Sequence, residues 1–103
     1  MCGRFTLHTP QAAILQAFDV ASHGVTLVPR YNITPSQDIP VVRAADDGRE
    51  LAVARWGLVP GWSKDARPKY STINARVESV AEKPTYRAAF RQKRCLIPAD
   101  GFY

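Results

Sequence analysis

The sequence contains few of the residues and patterns that define the common classes of functional site. It has two cysteines and two histidines in 103 residues, which is too few for a disulfide framework, and they lack the close spacing of structural zinc ligands. No apolar run approaches the roughly 20 residues that a membrane-spanning helix needs. Glycine-rich phosphate loops, paired carboxylates and internal repeats are also absent. We therefore expect no metal, no cofactor and no association with a membrane.

The length and composition fit one small globular domain. Hydrophobic residues make up 46% of the chain and charged residues 22%, both ordinary fractions for such a domain. The sequence shows no signal peptide, and its two thiols, Cys2 and Cys95, cannot build a disulfide scaffold. These features predict a reducing, cytoplasmic setting with free thiols.

The charge is unevenly distributed along the chain. Residues 1–50 carry four arginines against five acidic residues, whereas residues 51–103 carry ten Lys and Arg against four acidic residues. The net charge of +5 therefore comes from the second half. Four aromatic side chains are interleaved with these cations: Trp56, Trp62, Tyr70 and Tyr86. This combination suits single-stranded nucleic acid, although a solvated basic face would have the same composition.

The most distinctive chemistry lies in the first five residues, Met1-Cys2-Gly3-Arg4-Phe5. Removal of Met1 would leave Cys2 with a free α-amine beside its thiol, and both groups have reference pKa values of about 8. An aldehyde can form an imine with this amine, and the thiol can then close a thiazolidine ring. Gly3 permits close approach of a ligand, and Arg4 supplies a cation that suits a phosphate-bearing partner. The alternative is an incidental or buried apolar cysteine.

The first half of the sequence predicts a strand over residues 4–8 and then a helix. Thr9 would be the N-cap and Pro10 the first helical residue, and the helix would end before His23. Residues 24–38, rich in proline and polar side chains, predict an irregular connection that could hold the edge of a ligand.

A hairpin is predicted next, with strands at residues 39–44 and 51–56 joined across Asp46-Asp47-Gly48. The loop that follows presents Trp62 between glycine and proline residues. Trp62 could stack on or separate bases, or it could cover the edge of the core.

Strand alternation over residues 73–78 would place Asn74 and Arg76 on one side, where an amide and a guanidinium could orient a reactive group and hold a phosphate. A second helix is predicted from Pro84 to about Gln92. Residues 95–98 predict a strand, with Cys95 as an inert thiol of the core.

Five motifs occur in an order that closely resembles the N-terminal half of the SRAP family, the SOS response-associated peptidase-like proteins. They cover the whole chain and are Met1-Cys2-Gly3-Arg4-Phe5, Arg30-Tyr31-Asn32, Trp56-Gly57-Leu58-Val59-Pro60-Gly61-Trp62, Ile73-Asn74-Ala75-Arg76-Val77-Glu78 and Pro98-Ala99-Asp100-Gly101-Phe102-Tyr103.

The resemblance implies an α+β fold with a curved, barrel-like, mainly antiparallel sheet and flanking helices. Residues 1–103 would be the N-terminal part of a single SRAP domain, which we expect to be monomeric when complete. It also implies a sensor of abasic sites in single-stranded DNA, located in the cytoplasm at the nucleoid. Cys2, exposed by autocatalytic, peptidase-like removal of Met1, would form a thiazolidine DNA–protein crosslink that shields the lesion during DNA repair.

Carried over by position, the resemblance assigns a role to six residues. Cys2 would be the nucleophile and Asn74 its orienting partner, Arg4, Asn32 and Arg76 would contact the DNA backbone, and Trp62 would stack on or wedge a base. The family's glutamate and histidine, its acid/base residues, follow the position of Tyr103 and are not in this chain. Ser63 stands where some relatives carry a second tryptophan. A retained Met1 would block the amine and with it the crosslink.

Two other functions fit parts of the pattern. N-terminal-nucleophile glutamine amidotransferases also begin Met-Cys-Gly, but they usually continue with a small apolar residue where this chain has Arg4. The chain also lacks the Asn-Gly pair that they use around the oxyanion site. A non-catalytic binder of single-stranded nucleic acid, with Cys2 incidental, would show salt-sensitive binding and no covalent adduct.

Overall fold

The computed structural model describes residues 3–60 and 72–103, which form six strands and two helices. The predicted α+β class is confirmed. In chain order the elements are β1 (Phe5–Leu7), α1 (Gln11–Ala17), β2 (Val20–His23), β3 (Arg30–Ile33), β4 (Asp38–Ala45), β5 (Gly48–Arg55), α2 (Arg87–Gln92) and β6 (Gly101–Phe102).

The strands of the described ranges form two three-stranded sheets, in the orders β3-β1-β6 and β2-β5-β4. All pairs are antiparallel except β2 with β5, so the predicted antiparallel character is confirmed. Within residues 3–60 and 72–103 these sheets do not close into a barrel. The sheet β3-β1-β6 joins two strands of the first third of the chain to a strand at its end.

The predicted hairpin is the longest ladder. β4 and β5 pair from Asp38↔Arg55 to Ala45↔Gly48, and Asp46 and Asp47 form the turn. Gly48 has φ +129°, a conformation that side chains rarely adopt. The glycine in this turn is therefore required by the backbone.

The first helix is shorter than predicted and begins differently. Pro10 occupies the N-cap and Thr9 makes no capping bond. The helix ends at Ala17, because Asp19 adopts the left-handed conformation with φ +53° and turns the chain back. The residues after Asp19, predicted to be helical, instead form β2, which pairs with β5 in parallel.

Part of the predicted irregular connection is also a strand. Residues 30–33 form β3 and pair with β1, since Ile33 lies opposite Phe5 and is fully buried. Arg30 is held by its own neighbours: it donates to the backbone oxygen of Asp38 at 2.7 Å and to Gln37 Oε1 at 2.8 Å. Pairing with β1 therefore makes this segment a strand, although the proline and polar residues around it favour an irregular connection.

The core lies beneath β1, where Phe5 and Leu7 are buried, as the predicted alternation requires. The ring centroids of Phe5 and Trp56 are 5.4 Å apart in a tilted contact. The other buried members of this cluster are Ile14, Ile33, Ile39 and Val41. This core fixes the position of β1, the strand that follows the N-terminal motif.

The last third of the chain contains less regular structure than predicted. α2 begins at Arg87, after a series of turns, rather than at Pro84. Residues 73–78 are not a strand, and residues 95–98 contribute only one bridge, in which Leu96 and Val42 exchange backbone hydrogen bonds of 2.8 Å. The strand predictions for both segments are wrong, because within the described parts of the chain neither is paired with a neighbouring strand over its length.

Candidate functional site

Two predicted site residues, Cys2 and Trp62, lie outside the described residues. The described chain starts at Gly3, directly before β1. No described atom lies within 4 Å of the position that a Cβ on Gly3 would occupy. Among the described residues, none closes off the side of Gly3 on which a Cβ would lie.

Arg4 is exposed and lies over an aromatic ring. Its guanidinium carbon is 5.9 Å from the centroid of the Tyr103 ring, and its backbone oxygen accepts a hydrogen bond from the Tyr103 amide at 3.3 Å. Such a contact at an exposed site contributes about 0.5–1 kcal/mol. It orients the side chain while leaving its charge available to an anion.

Asn32 is exposed on β3, the strand beside β1. The pairing of Phe5 with Ile33 anchors both strands through buried side chains. Because side chains alternate along a strand, Arg4 and Asn32 each lie next to one of these buried residues and point away from the core. The fold thus places these two predicted DNA-binding residues on the outer side of one sheet.

Exposed aromatic rings lie on the same sheet. The Tyr31 ring stacks on His8, with centroids 5.1 Å apart and planes inclined by 14°. The Tyr103 hydroxyl donates to the backbone oxygen of Tyr31 at 2.8 Å. Tyr31 and Tyr103 are 60% and 74% exposed, so both rings have surface free for stacking.

Asn74 and Arg76 lie on a separate, exposed loop. Their predicted strand alternation does not occur, and they instead line a recess together with Ala75 and Glu78. The Tyr86 hydroxyl holds this loop by donating to the backbone oxygen of Asn74 at 2.8 Å. Within the described ranges, no hydrogen bond or ion pair joins Asn74 or Arg76 to Arg4 or Asn32.

Asp100 anchors the end of the chain to β1 and was not predicted as a site residue. Its carboxylate accepts hydrogen bonds from the backbone amides of His8 and Thr9 and from the Thr9 hydroxyl. The Thr9 hydroxyl bond, followed by the His8 amide, lowers the pKa of Asp100 below its ordinary value. His8 Nε2 also lies 3.7 Å from the carboxylate. These bonds fix the turn from which β6 begins.

The register of β6 determines what lies beside the N-terminus. Phe102 pairs with Phe5 and Gly101 with Thr6 in antiparallel fashion. β6 therefore runs antiparallel to β1 and brings Tyr103 beside Arg4.

Comparison with known protein families identifies the chain. Residues 1–103 match the family described as SOS response associated peptidase (SRAP). The chain belongs to the SRAP family. The resemblance inferred from the five motifs is confirmed.

Curated relatives match most or all of this chain. The abasic site processing protein YoaM of Bacillus subtilis (strain 168) is 43% identical over 105 residues, covering 100% of this chain and 46% of the relative. The abasic site processing protein HMCES of Xenopus tropicalis is 40% identical over 87 residues, covering 73% of this chain and 26% of the relative. The chain spans about half the length of the Bacillus relative.

A solved structure supports the fold. The crystal structure of a Bordetella bronchiseptica protein superposes with a TM-score of 0.74 at 25% sequence identity. The match covers 99% of this chain and 50% of the other. The two-sheet arrangement of residues 3–60 and 72–103 therefore has a close counterpart in an experimental structure.

The fold brings together three of the five SRAP motifs. The N-terminal motif leads into β1, Arg30-Tyr31-Asn32 lies in β3, and the last motif ends in β6. Sequence separation hides this arrangement, because β1 and β6 lie at opposite ends of the chain. The Asp-Gly pair predicted a turn at Asp100 from sequence. The sequence did not indicate the partners of its carboxylate, because His8 and Thr9 are more than 90 positions away.

The prediction that Cys95 is a thiol of the core is wrong. The residue is exposed rather than buried in the core, because only Leu96 of its segment pairs with β4. Among the described residues, no group of three or more His, Cys, Asp or Glu side chains could hold a metal ion. Nor do the described helices include one long and apolar enough to cross a membrane.

Proposed function

We propose that this chain is the N-terminal half of a SRAP domain that crosslinks to abasic sites in single-stranded DNA through Cys2. The observation that carries the proposal is the 43% identity, over the whole chain, to a protein named as an abasic site processing protein. The N-terminal Met-Cys-Gly-Arg sequence supplies the matching chemistry. A DNA partner in turn implies action at the nucleoid.

The reaction begins once Met1 is cleaved from Cys2 by the domain's own peptidase-like activity. The Cys2 amine attacks the aldehyde carbon of the ring-opened abasic sugar, and loss of one water forms an imine. The Cys2 sulfur then adds to the imine carbon while the nitrogen takes up the thiol proton. The product is a thiazolidine that joins protein and DNA, and no oxidant or cofactor is consumed.

The described residues around the N-terminus suit this reaction. No described atom lies within 4 Å of the Cβ position of Gly3, and Arg4 presents an exposed cation one residue further on. Arg4 and Asn32 would hold the phosphates beside the lesion, and the exposed Tyr31 and Tyr103 rings would favour unpaired bases. Asn74 would orient the reacting group, Arg76 would hold a phosphate, and Trp62 would stack on or wedge a base.

The 103-residue chain should react slowly by itself. General acid–base help typically contributes about 10²–10⁴-fold, and the family's glutamate and histidine follow the position of Tyr103. In a longer chain, residues after Tyr103 would continue from a strand end that lies beside Arg4, two positions from Cys2 in the sequence. We therefore expect a crosslink that forms slowly or not at all until the chain is extended.

Intact mass spectrometry tests the proposal. The protein without Met1 is incubated with a single-stranded oligonucleotide that contains one abasic site, first as 103 residues and then as an extended chain. We expect an adduct equal to the oligonucleotide less one water. If the extended chain gives no adduct, or if Cys2→Ala leaves the adduct unchanged, the proposed function is wrong.

Matched variants separate the two bonds of the crosslink. Cys2→Ser retains the amine but lacks the thiol, so borohydride should be needed to trap its imine. Cys95→Ala should leave the adduct intact, and an abasic site reduced to the alcohol should give none. Equal loss in Cys2→Ala and Cys95→Ala would contradict the assignment of Cys2.

The net charge of residues 51–103 favours a second candidate, a non-covalent binder of single-stranded DNA. This function predicts salt-sensitive binding and no mass adduct after denaturation. The same mass measurement, accompanied by a binding titration on undamaged DNA, distinguishes the two.

A further inference from the structure

A dense group of cations surrounds α2. The segment from residue 83 to residue 94 contains no acidic residue. Arg87 and Arg91 lie four positions apart on one face of α2, and Lys83 precedes the helix in a turn, where its backbone oxygen accepts from the Arg87 amide at 2.9 Å. The exposed cations of this segment, here called the α2 basic stripe, are Lys83, Arg87, Arg91, Lys93 and Arg94.

These cations have no carboxylate partners in the described parts of the chain. The ion pairs there are His8–Asp100 and Arg43–Glu50, and neither includes a residue of the α2 basic stripe. Arg94 instead lies over the Phe90 ring, with its guanidinium carbon 4.6 Å from the centroid. This contact orients the guanidinium but does not neutralise it.

The tertiary structure extends this charge into a recess. The bridge between Leu96 and Val42 holds the chain after α2 against β4. It brings Arg94 beside Arg43 and Arg49, which lie more than 40 positions away in the sequence. A recess of about 290 Å³ is lined by all three arginines and by Cys95.

Of the three arginines that line the recess, one is paired with a carboxylate of the described chain. Arg43 pairs with Glu50. Arg49 donates from Nη1 to the backbone oxygen of Phe18 at 2.8 Å and has no carboxylate partner among the described residues. Arg94 also has no acidic partner among residues 3–60 and 72–103. Two guanidinium charges therefore face the same recess.

We propose that the α2 basic stripe and the arginine recess form a second contact surface for the phosphate backbone of single-stranded DNA, distinct from the crosslinking site. The partner rests on the proposed function, but the contact needs neither Cys2 nor an aldehyde. Guanidinium groups hold phosphates in two-point hydrogen bonds, which suits a recess, whereas the exposed stripe needs only charge. The surface would hold undamaged DNA that flanks a lesion.

Salt dependence measures this contact. For single strands, the logarithm of the binding constant falls with the logarithm of salt concentration by about 0.7 per neutralised phosphate. Replacing Arg87, Arg91 and Arg94 together by glutamine should lower this slope by about 2 and weaken binding at about 50 mM salt at least about tenfold. The ligand is an undamaged, fluorescently labelled oligothymidine, titrated in the Cys2→Ala background so that no crosslink contributes.

A charge-conserving triple variant, Arg87→Lys, Arg91→Lys and Arg94→Lys, is the matched control. It should keep the salt slope of the parent, because it keeps all three positive charges. An unchanged slope in the glutamine variant overturns the proposal. So does an equal loss in the lysine variant, since that would indicate damage to the fold rather than loss of charge.

Cys95 gives a second test that requires no change in the basic surface. In the Cys2→Ala background it is the only thiol, and it lines the recess. Saturating oligothymidine should slow alkylation of Cys95 at least about threefold at low salt, and the protection should vanish at about 1 M salt, where phosphate contacts are screened. Unchanged alkylation in the presence of DNA overturns the proposal, as does equal or better protection by anionic phosphatidylserine vesicles. Because these measurements use undamaged DNA, their result is independent of whether Cys2 forms the crosslink.

Discussion

Replacing Ile33 by alanine tests whether β3 is packed as the fold requires. Ile33 is fully buried and pairs with Phe5 on β1. The change removes three carbon atoms, a transfer loss of about 2.4 kcal/mol at about 0.8 kcal/mol per methylene. An incompletely filled cavity raises the expected loss in the free energy of unfolding to about 3–4 kcal/mol. Ile33→Val, which removes one carbon, should cost about 1 kcal/mol.

Urea unfolding followed by circular dichroism measures these differences. With a slope of about 1.5 kcal/mol per molar urea, Ile33→Ala should lower the midpoint by about 2 M. Val77→Ala is the control, because Val77 is 81% exposed and its truncation should change stability by less than about 0.5 kcal/mol. If Ile33→Ala costs no more than Val77→Ala, β3 is not packed against the core and the position inferred for Asn32 is wrong.

Three further changes test individual contacts. Gly48→Ala should destabilise the protein by about 1–3 kcal/mol in the same assay, because φ is +129° and the new Cβ would lie 3.2 Å from the Cβ of Ala21. A neutral effect would contradict the conformation described for this turn. The lowered pKa of Asp100 contributes stability above its unfolded pKa of about 3.9, and this contribution is lost as pH falls through the folded pKa. Asp100→Asn should therefore flatten the acid limb of the pH–stability curve, whereas an unchanged acid limb would show that the bonds from Thr9 do not stabilise the fold. Exposed Cys95 should react with a thiol reagent in the folded Cys2→Ala protein at a rate near that of the unfolded chain; protection of at least about a hundredfold without DNA would show that it is buried.

The best sequence predictions were those with a local physical cause. The β4–β5 hairpin follows from two alternating runs joined by Asp46-Asp47-Gly48, and β1 follows from the alternation that buries Phe5 and Leu7. The SRAP family was also identifiable from sequence, since five ordered motifs do not depend on knowing the contacts. The roles of Cys2, Trp62, Asn74 and Arg76 stay predictions.

The failed predictions share another cause. Residues 30–33 contain a charge and an amide, but pairing with β1 makes them a strand. Residues 73–78 alternate like a strand, yet they pair with none of the described strands and are irregular. The helix that was predicted to end before His23 stops at Ala17, because Asp19 adopts a left-handed conformation that propensity alone does not reveal.

The sequence by itself determined the hairpin and the family, because each depends on residue identity or on neighbours close in the chain; the reactivity of Cys2 stays a prediction. Tertiary structure alone decided that β1, β3 and β6 lie side by side, with Asp100 bonded to His8 and Thr9. It also decided that Arg94 joins Arg43 and Arg49 around one recess. These arrangements depend on backbone pairing between distant segments, and local patterns carry no information about which distant segment becomes the partner.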